Sequence, residues 1–414
     1  MSSPRHVTVI GAGIVGMACA STLQREGHAV TVVDSRPPGE GCSKGNAGHV
    51  SPGSCLPLAM PGIMRRVPGW LFDPLGPLAI RWCYLPRATP WLMRFIRAAT
   101  RLRAEATASA LRALHAPSFE AYAPLVKAAG AEDLICRTGQ LLVYESEESF
   151  ASDRIGRELR RACGVAVEEL DGPAIRKLEP SLAPIYPRAI FFPEHGFCRN
   201  PLRLVQALAE QFTRAGGTIL RRSVTGFELG PEGPRRLHTD AGELEVEQLV
   251  IAAGAWSHRL TARLGDKVPL ESERGYHLEL PASGTAPRLP VTSAERKFAA
   301  TPMETGLRFA GTVEFAGLSA PPDYRRARVL LEHGRRMFPG LNGEGAREWM
   351  GHRPSLPDSR PVIDRATRFA TVHYAFGHGH TGLTGASMTG RLIADLVAGR
   401  PPEIDLSPFR VTRF

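Results

Sequence analysis

No run of 18 or more apolar residues occurs in the chain, so nothing in it should span a membrane. No C-x-x-C pair occurs either: the seven cysteines (Cys19, Cys42, Cys55, Cys83, Cys136, Cys163 and Cys198) are odd in number and widely scattered. That distribution argues against a disulfide framework or a zinc knuckle, and for a reducing, cytoplasmic compartment. A first strand begins almost at Met1, which leaves no room for a secretory signal ahead of it. Internal repeats and low-complexity tails are missing too. What is present is ordinary for a globular enzyme: 414 residues, 43% hydrophobic and 22% charged, with length for two or three domains and a sizeable core.

Negative charge is in short supply, and the formal net charge is +10. Such a balance favours anionic partners. Much of the excess lies between residues 61 and 105, where Arg65, Arg66, Arg81, Arg87, Arg94, Arg97, Arg101 and Arg103 face only Asp73 and Glu105. Interleaved are Trp70, Leu71, Phe72, Trp82, Tyr84, Trp91, Leu92, Phe95 and Ile96. Two readings fit this block: an interfacial anchor for an anionic membrane surface, or an arginine-rich solvated face over an ordinary core stripe. No nucleic-acid-binding motif accompanies the charge, so nucleic acid is not expected as a partner.

The most informative segment is His6-Val-Thr-Val-Ile10 followed by Gly11-x-Gly13-x-x-Gly16, a helical stretch, and Val30-Thr-Val-Val-Asp34. This is a strand, a glycine turn, a helix and a second strand ending in an acid. Gly11 permits a sharp turn, Gly13 a close approach to a pyrophosphate, and Gly16 tight packing of helix on sheet. The helix N-terminus offers free N–H groups and its positive dipole end to phosphate, and Asp34 stands where a ribose hydroxyl is accepted.

Further along, the stretch from Pro37 to Pro77 reads as loop with short helices, and Trp91 to Ala129 as helix broken near Pro117. Strands are expected at Gln140–Tyr144 and Ala189–Phe192. Asn200 should cap a helix opening at Pro201. Gln248-Leu-Val-Ile-Ala-Ala-Gly-Ala-Trp256 is a buried strand entering a glycine turn, and a strand-rich block follows from Arg274 to Phe315. Thr371–Phe376 is a last strand, running into Gly377-His-Gly-His-Thr-Gly-Leu-Thr-Gly385 and a helix. If these buried strands share one sheet, three glycine loops meet at its carboxyl edge, where ligands bind. A flavin fits there, because a helix N-terminus stabilises negative charge on its reduced ring.

Taken together, the fingerprint, Ser43-Lys-Gly-Asn-Ala-Gly-His-Val-Ser-Pro-Gly53, Val250–Trp256, Gly351-His-Arg-Pro-Ser-Leu-Pro-Asp358 and Gly377–Thr384 carry a resemblance. The chain resembles, nearly end to end, the D-amino-acid oxidase/dehydrogenase superfamily of FAD-dependent amine oxidoreductases. The Asn46–Gly53 stretch and Arg274-Gly-Tyr-His277 are most similar to the bacterial D-amino-acid dehydrogenase branch. The resemblance implies an α/β fold: a Rossmann-like FAD-binding domain of the glutathione-reductase type with a second α+β substrate domain built on an antiparallel sheet. We expect residues 1–85, 186–270 and 340–414 in the first, and 86–185 and 271–339 in the second.

The implied cofactor is FAD. Its contacts would be Gly11, Gly13, Ile14, Val15, Gly16, Asp34 and Ser35, then Ser43, Asn46, Ala47 and Gly48. Val224 would follow through its backbone, with Ala253, Gly254 and Trp256, and finally Gly379, His380, Thr381, Gly382, Leu383 and Thr384. No cysteine lies beyond Cys198, where one branch of the family attaches its flavin, so FAD is expected to be non-covalent. For the substrate, a carboxylate needs a bidentate cation and a hydroxyl. Arg353, in the Gly-x-Arg-Pro position, is the expected cation, with a structural ion pair as the other reading; Tyr276 is the candidate hydroxyl, with core packing as its other reading; and His49 and His380, in flavin-adjacent loops, would tune the polarity of the substrate pocket. The pair His378 and His380 has no third ligand cluster, so no metal is expected.

The implied reaction is hydride transfer from the Cα of an amino acid to flavin N5, giving an imine that hydrolyses. Positioning matters more than acid–base help, and no general base is assigned. Gly41-Cys-Ser-Lys-Gly45 matches a hydrolase nucleophile elbow, but no strand precedes it, so Ser43 reads as a cofactor contact. Three functions stay open. The first is a D-amino-acid dehydrogenase, acting on a substrate such as a cyclic imino acid (a D-proline derivative) and passing electrons to a quinone or other respiratory acceptor at the cytoplasmic face of the inner membrane. The others are a glycine/sarcosine-type oxidase using O2, and a non-catalytic flavin-binding, membrane-associated protein.

Overall fold

The computed structural model describes residues 4–65, 67–73 and 76–414; Arg66 and the side chain of Phe72, both in the arginine-rich block, lie outside the described residues. Two large sheets organise the chain. The first has six strands in the order Thr218–Arg221, Ala29–Asp34, His6–Ile10, Gln248–Ile251, Val372–Phe376 and Val362–Arg365. All pair in parallel except the last, which is antiparallel to Val372–Phe376. Its central strands are apolar on both faces because both faces are covered, which explains their continuous Val/Ile runs. Helices Ile14–Arg25, Ser118–Ala129, Pro201–Arg214 and Gly382–Ala398 bury one face. A three-stranded meander (Val224–Gly230, Gly233–Thr239, Gly242–Glu245) and helix Ser257–Arg263 bury the other.

The second sheet has nine strands and is mainly antiparallel, centred on Glu271–Leu280 paired with Gly306–Phe315 on one side and Arg347–Ser355 on the other. Period-two alternation divides the central strand. Leu278 and Leu280 join the core under helix Arg325–Met337, and Tyr276 shares their face. Glu273, Gly275, His277 and Glu279 look the other way, toward the loop at residues 41–48. The strand is therefore aliphatic toward its helix and polar toward the cleft.

Most local expectations hold. Asn200 caps its helix by accepting from the Arg203 N–H (3.1 Å). The long helical stretch breaks near Pro117 and also at Ala99–Thr100, where the Thr100 side chain caps Arg101–His115. The stretch from Glu147 to Ala162 forms two helices, Glu147–Ser152 and Arg154–Ala162. Strand Arg347–Ser355 carries Pro354 and so reads poorly as sheet; its edge position tolerates the missing donor. Among the described residues no helix is long and apolar enough to cross a membrane.

Candidate active site

Three adjacent parallel strands, His6–Ile10, Gln248–Ile251 and Val372–Phe376, each run into one of the glycine loops, so the loops lie side by side at one sheet edge. They touch. Gly11 has φ +114°, and a Cβ there would stand 2.3 Å from the Ala252 carbonyl oxygen. A Cβ on Gly16 would fall 1.8 Å from the Gly11 oxygen, so only glycine lets the helix sit this close to the turn. Gly13 is open: the single atom within 4 Å of the place a Cβ would take there is Ser43 Oγ, at 3.5 Å.

Helix Ile14–Arg25 begins with Ile14 and Val15, and Ser43 Oγ accepts the Ile14 N–H (2.9 Å). Asp34 accepts from the Ala12 N–H (2.7 Å) and the Arg36 N–H (2.9 Å), holding the turn while each oxygen keeps a lone pair. Ser35 beyond it is exposed. The Arg222 N–H donates to the Asp34 carbonyl (2.9 Å), bringing the start of strand Val224–Gly230 beside the acid. Asn46 accepts the Gly48 N–H (2.8 Å), which tightens the segment carrying Ala47. Beyond Ala253 and Gly254, Trp256 meets His352 edge-on (5.4 Å) with the Arg36 guanidinium over it (5.5 Å).

The third loop is tied to the others. Thr384 Oγ1 accepts the Ser51 N–H (3.1 Å) and donates to the His49 carbonyl (3.2 Å), while the Leu383 carbonyl accepts from Tyr122 (2.7 Å). Helix Gly382–Ala398 follows Thr381 with no capping side chain, and the same holds at Gly13 for helix Ile14–Arg25. Two helix N-termini thus present N–H groups and positive dipole ends to one cleft. Loops shaped for close backbone approach, free donors and one carboxylate at the strand end fit an anionic dinucleotide.

Arg353 lies beside the third loop: the Gly379 N–H donates to the carbonyl of the next residue, Pro354 (2.8 Å), and the Arg353 charge is felt at His380. Its guanidinium lies across Gly275, where a Cβ would be 2.2 Å from Cζ. It donates from Nη1 to the Thr312 carbonyl (3.3 Å) and from Nη2 to that of Gly311 (3.4 Å). Among the described residues no acidic oxygen lies within 4 Å of it. Glu273, its cross-strand neighbour, is held above the usual carboxylate range by burial, with Arg353 working against that. The fork of Arg353 therefore keeps donors to spare.

His380 borders the cleft and makes no side-chain hydrogen bond among the described residues. The nearby Arg353 charge lowers its pKa, while the residue itself is exposed at the cleft. His378 points the other way, its Nε2 on Thr389 Oγ1 (2.9 Å), which separates the histidine pair. His49 is fully engaged: Nδ1 accepts from Gln140 Nε2 (3.2 Å) and Nε2 donates to Thr301 Oγ1 (3.1 Å). Gln140 also accepts from Ser51 (3.2 Å) and His195 (3.1 Å). Burial holds His49 to about 4, so it stays neutral. His49 thus sits beside Thr384 of the third loop with both ring nitrogens engaged.

Tyr276 is not brought to this cleft. Its hydroxyl donates to Glu314 Oε2 (2.6 Å) and accepts from the Asp323 N–H (3.0 Å), in a buried network with Arg274 and Arg81. The reason is sheet parity: one residue from His277, it must face the helix. Conversely, no pattern singles out Gln140, Trp349 or Arg308. Trp349 stacks on His277 (4.9 Å) and covers Gly45, where a Cβ would be 2.1 Å from its ring. The alternation Glu273-x-Gly275-x-His277-x-Glu279 was the available signal for a polar, cleft-facing strand.

Comparison with known proteins agrees with this geometry. The FAD dependent oxidoreductase (DAO) family profile matches residues 6–396. The chain is 44% identical over its whole length, and that of the relative, to a D-amino-acid oxidase of Bradyrhizobium diazoefficiens. It is 33% identical to D-amino acid dehydrogenase 2 of Ralstonia nicotianae, covering 99% of this chain and 100% of the other. Glycine oxidase from Bacillus cereus shares its fold, with a TM-score of 0.75 at 19% identity over 99% of both chains. Sequence, sheet order and loop geometry converge, and the chain belongs to the DAO family of FAD-dependent oxidoreductases.

Proposed function

We propose that this chain binds FAD non-covalently across the three loops and oxidises a D-amino acid held by its carboxylate on Arg353. The observation that carries this reading is the guanidinium of Arg353, beside the glycine loops, with only two long backbone bonds and no acid within 4 Å among the described residues. Bound FAD would supply a two-electron acceptor for the Cα–H of the substrate. Gly11, Gly13 and Gly16, with the N–H groups opening helix Ile14–Arg25, receive the pyrophosphate, and Asp34 accepts the ribose hydroxyls. Ser35 and the Val224 backbone flank the adenine. Ser43, Asn46, Ala47, Gly48, Ala253, Gly254 and Trp256 line the remainder, and Gly379 to Thr384 bring a helix N-terminus to the ring. Arg353 fixes the carboxylate bidentately, which aims the Cα–H. Neutral His380 adds no second cation to repel the substrate amine.

We group residues 1–85, 186–270 and 340–414 as the FAD-binding unit and 86–185 with 271–339 as the substrate unit. The seam is made by strands Arg188–Phe192 and Arg347–Ser355, which pair within the second sheet, and by helix Ser118–Ala129, which packs on the first. As acceptor we favour a membrane quinone or another respiratory partner at an anionic surface. Of the large apolar side chains left exposed, Met64, Trp82, Met93, Ile96 and Leu102 all fall in the arginine-rich block; Trp82 and Leu102 are 77% and 78% exposed. Arg65, Arg87, Arg94, Arg97 and Arg103 form no ion pair among the described residues. The 44% identical relative named as an oxidase favours a second reading, with O2 as acceptor.

Anaerobic addition of D-amino acids, including D-proline, L-amino acids and N-methyl amines separates the substrate classes by flavin bleaching. Admitting air then separates the acceptors. Slow reoxidation fits the dehydrogenase, and rapid reoxidation with peroxide fits the oxidase. A colourless protein that takes up no FAD would sink both.

A further inference from the structure

The mount beneath Arg353 is unusual. Strands Glu271–Leu280 and Gly306–Phe315 pair regularly except at one point: Gly275 faces Val313, Tyr276 faces Gly311, and Thr312 is the extra residue of a β-bulge. Thr312 has φ +48°, a left-handed conformation that a β-branched side chain rarely adopts. It is buried, so solvent does not relieve it. Beyond the bulge the strand changes neighbours: the Val313 N–H donates to the Pro77 carbonyl (2.7 Å), and Arg326 donates to the Val313 carbonyl (3.3 Å). Two consecutive carbonyls, of Gly311 and Thr312, are thereby both offered to Arg353. Opposite them Gly275 leaves the space that the guanidinium fills.

We infer that the Thr312 bulge and the Gly275 gap are a dedicated mount that holds the Arg353 guanidinium in position for an anionic ligand, so that Gly275 and Thr312 are positioning residues for carboxylate recognition. The inference rests on the reading of Arg353 as the carboxylate clamp. Strain of this kind persists where surrounding structure over-determines it, and here it is located under a cation with unused donors. In a regular ladder both carbonyls would not turn to one side chain, and an arginine four bonds long has many other rotamers to adopt. The mount removes those alternatives before a ligand arrives.

The test uses the FAD-loaded protein with benzoate as carboxylate probe and benzamide as its neutral counterpart, each titrated by the shift in flavin absorbance. Wild type is expected to prefer benzoate, and Arg353→Met to lose that preference. Gly275→Ala, whose new methyl meets the flexible end of Arg353 first, is expected to cut the preference at least tenfold. Added to Arg353→Met, it should change nothing further, the mark of a single shared interaction. Thr312→Gly, which keeps the φ without the clash, should retain the preference.

If Gly275→Ala alone retains the wild-type preference, or Thr312→Gly loses it, the mount is refuted while the clamp stands. If Arg353→Met keeps the preference, or wild type has none, the clamp reading itself falls. Should Gly275→Ala fail to fold, the double variant decides. Recovery of folding when Arg353 is removed supports the mount, and failure there overturns it.

Discussion

Arg308 joins the substrate sheet to the cofactor loop, and its removal is the most revealing single perturbation. It stands directly across from Glu279 and donates to that carboxylate from Nε (3.1 Å) and Nη2 (2.5 Å). From Nη1 it donates to the carbonyls of Asn46 (2.8 Å) and Lys44 (3.2 Å), within the segment assigned to the flavin. Burial alone would raise the Glu279 pKa, but the Arg308 charge together with the hydrogen bonds from Arg308 and Thr305 holds the carboxyl below its usual range. The side chains are 7% and 10% exposed, so Arg308→Met strands a nearly buried carboxylate, at a cost of about 3–5 kcal/mol. The two loop carbonyls lose charge-assisted bonds, each contributing about 1.5–3 kcal/mol where water does not replace them. With partial rehydration we expect roughly 2–3 kcal/mol of lost FAD binding, or a Kd raised about 30- to 150-fold.

Urea unfolding followed by tryptophan fluorescence reads the stability, and titration of apoprotein with FAD by fluorescence quenching reads the affinity. The double variant Glu279→Leu/Arg308→Met separates the two effects. It removes the stranded charge and should recover most of the stability, yet leave FAD binding weak because the loop carbonyls still lack their donor. An Arg308→Met protein whose FAD Kd stays within about threefold of wild type would refute the reasoning. So would a double variant that recovers both properties, because the pair would then be purely structural.

Two further outcomes are expected. Asp358 lies between Arg413 (2.8 Å) and Arg360 (2.9 Å); burial raises its pKa, but the Arg413 and Arg360 charges outweigh this and hold it low. A depressed carboxyl stabilises the fold above its unfolded pKa of about 3.9 and loses that contribution as pH falls through the folded value. Acid unfolding monitored by circular dichroism should therefore show a steep loss below about pH 4 that Asp358→Asn flattens, with stability at pH 7 reduced by about 3 kcal/mol. On anionic vesicles at low salt, the double variant Arg94→Glu/Arg97→Glu should bind at least about 30-fold more weakly than wild type, at ~1 kcal/mol per cation lost. Equal binding by both proteins in a sedimentation assay would remove the membrane surface from the account.

The parts legible in the sequence are those set by local chemistry. Gly11, Gly13 and Gly16 announce a turn that a Cβ would fill, and the runs Val7–Ile10, Gln248–Ile251 and Val372–Phe376 announce strands covered on both faces. Their adjacency in one sheet could only be supposed, because order is set by long-range pairing. Of the two readings of Tyr276 the structure takes core packing: a shift of one residue changes the face, and the Leu278–Leu280 alternation turns it toward the helix. His49 was rightly put beside the third loop, but its two nitrogens are claimed by Gln140 and Thr301, partners 91 and 252 residues away. The bulge at Thr312 leaves no local mark at all, since threonine is an ordinary strand residue. Gly275 does leave one: a glycine inside a strand signals close approach, here by Arg353.

The central claim is that Arg353 presents the Cα–H of a D-amino acid to FAD held by the three loops. Anaerobic stopped-flow bleaching with one D-amino acid, its Cα-deuterated form and its L-enantiomer tests it most directly. The account predicts bleaching by the D-enantiomer, slowed several-fold by deuterium and reduced at least about 100-fold by Arg353→Met, equivalent to ~2.7 kcal/mol. Bleaching by the L-enantiomer alone, or a D-substrate rate indifferent to Arg353, would contradict it.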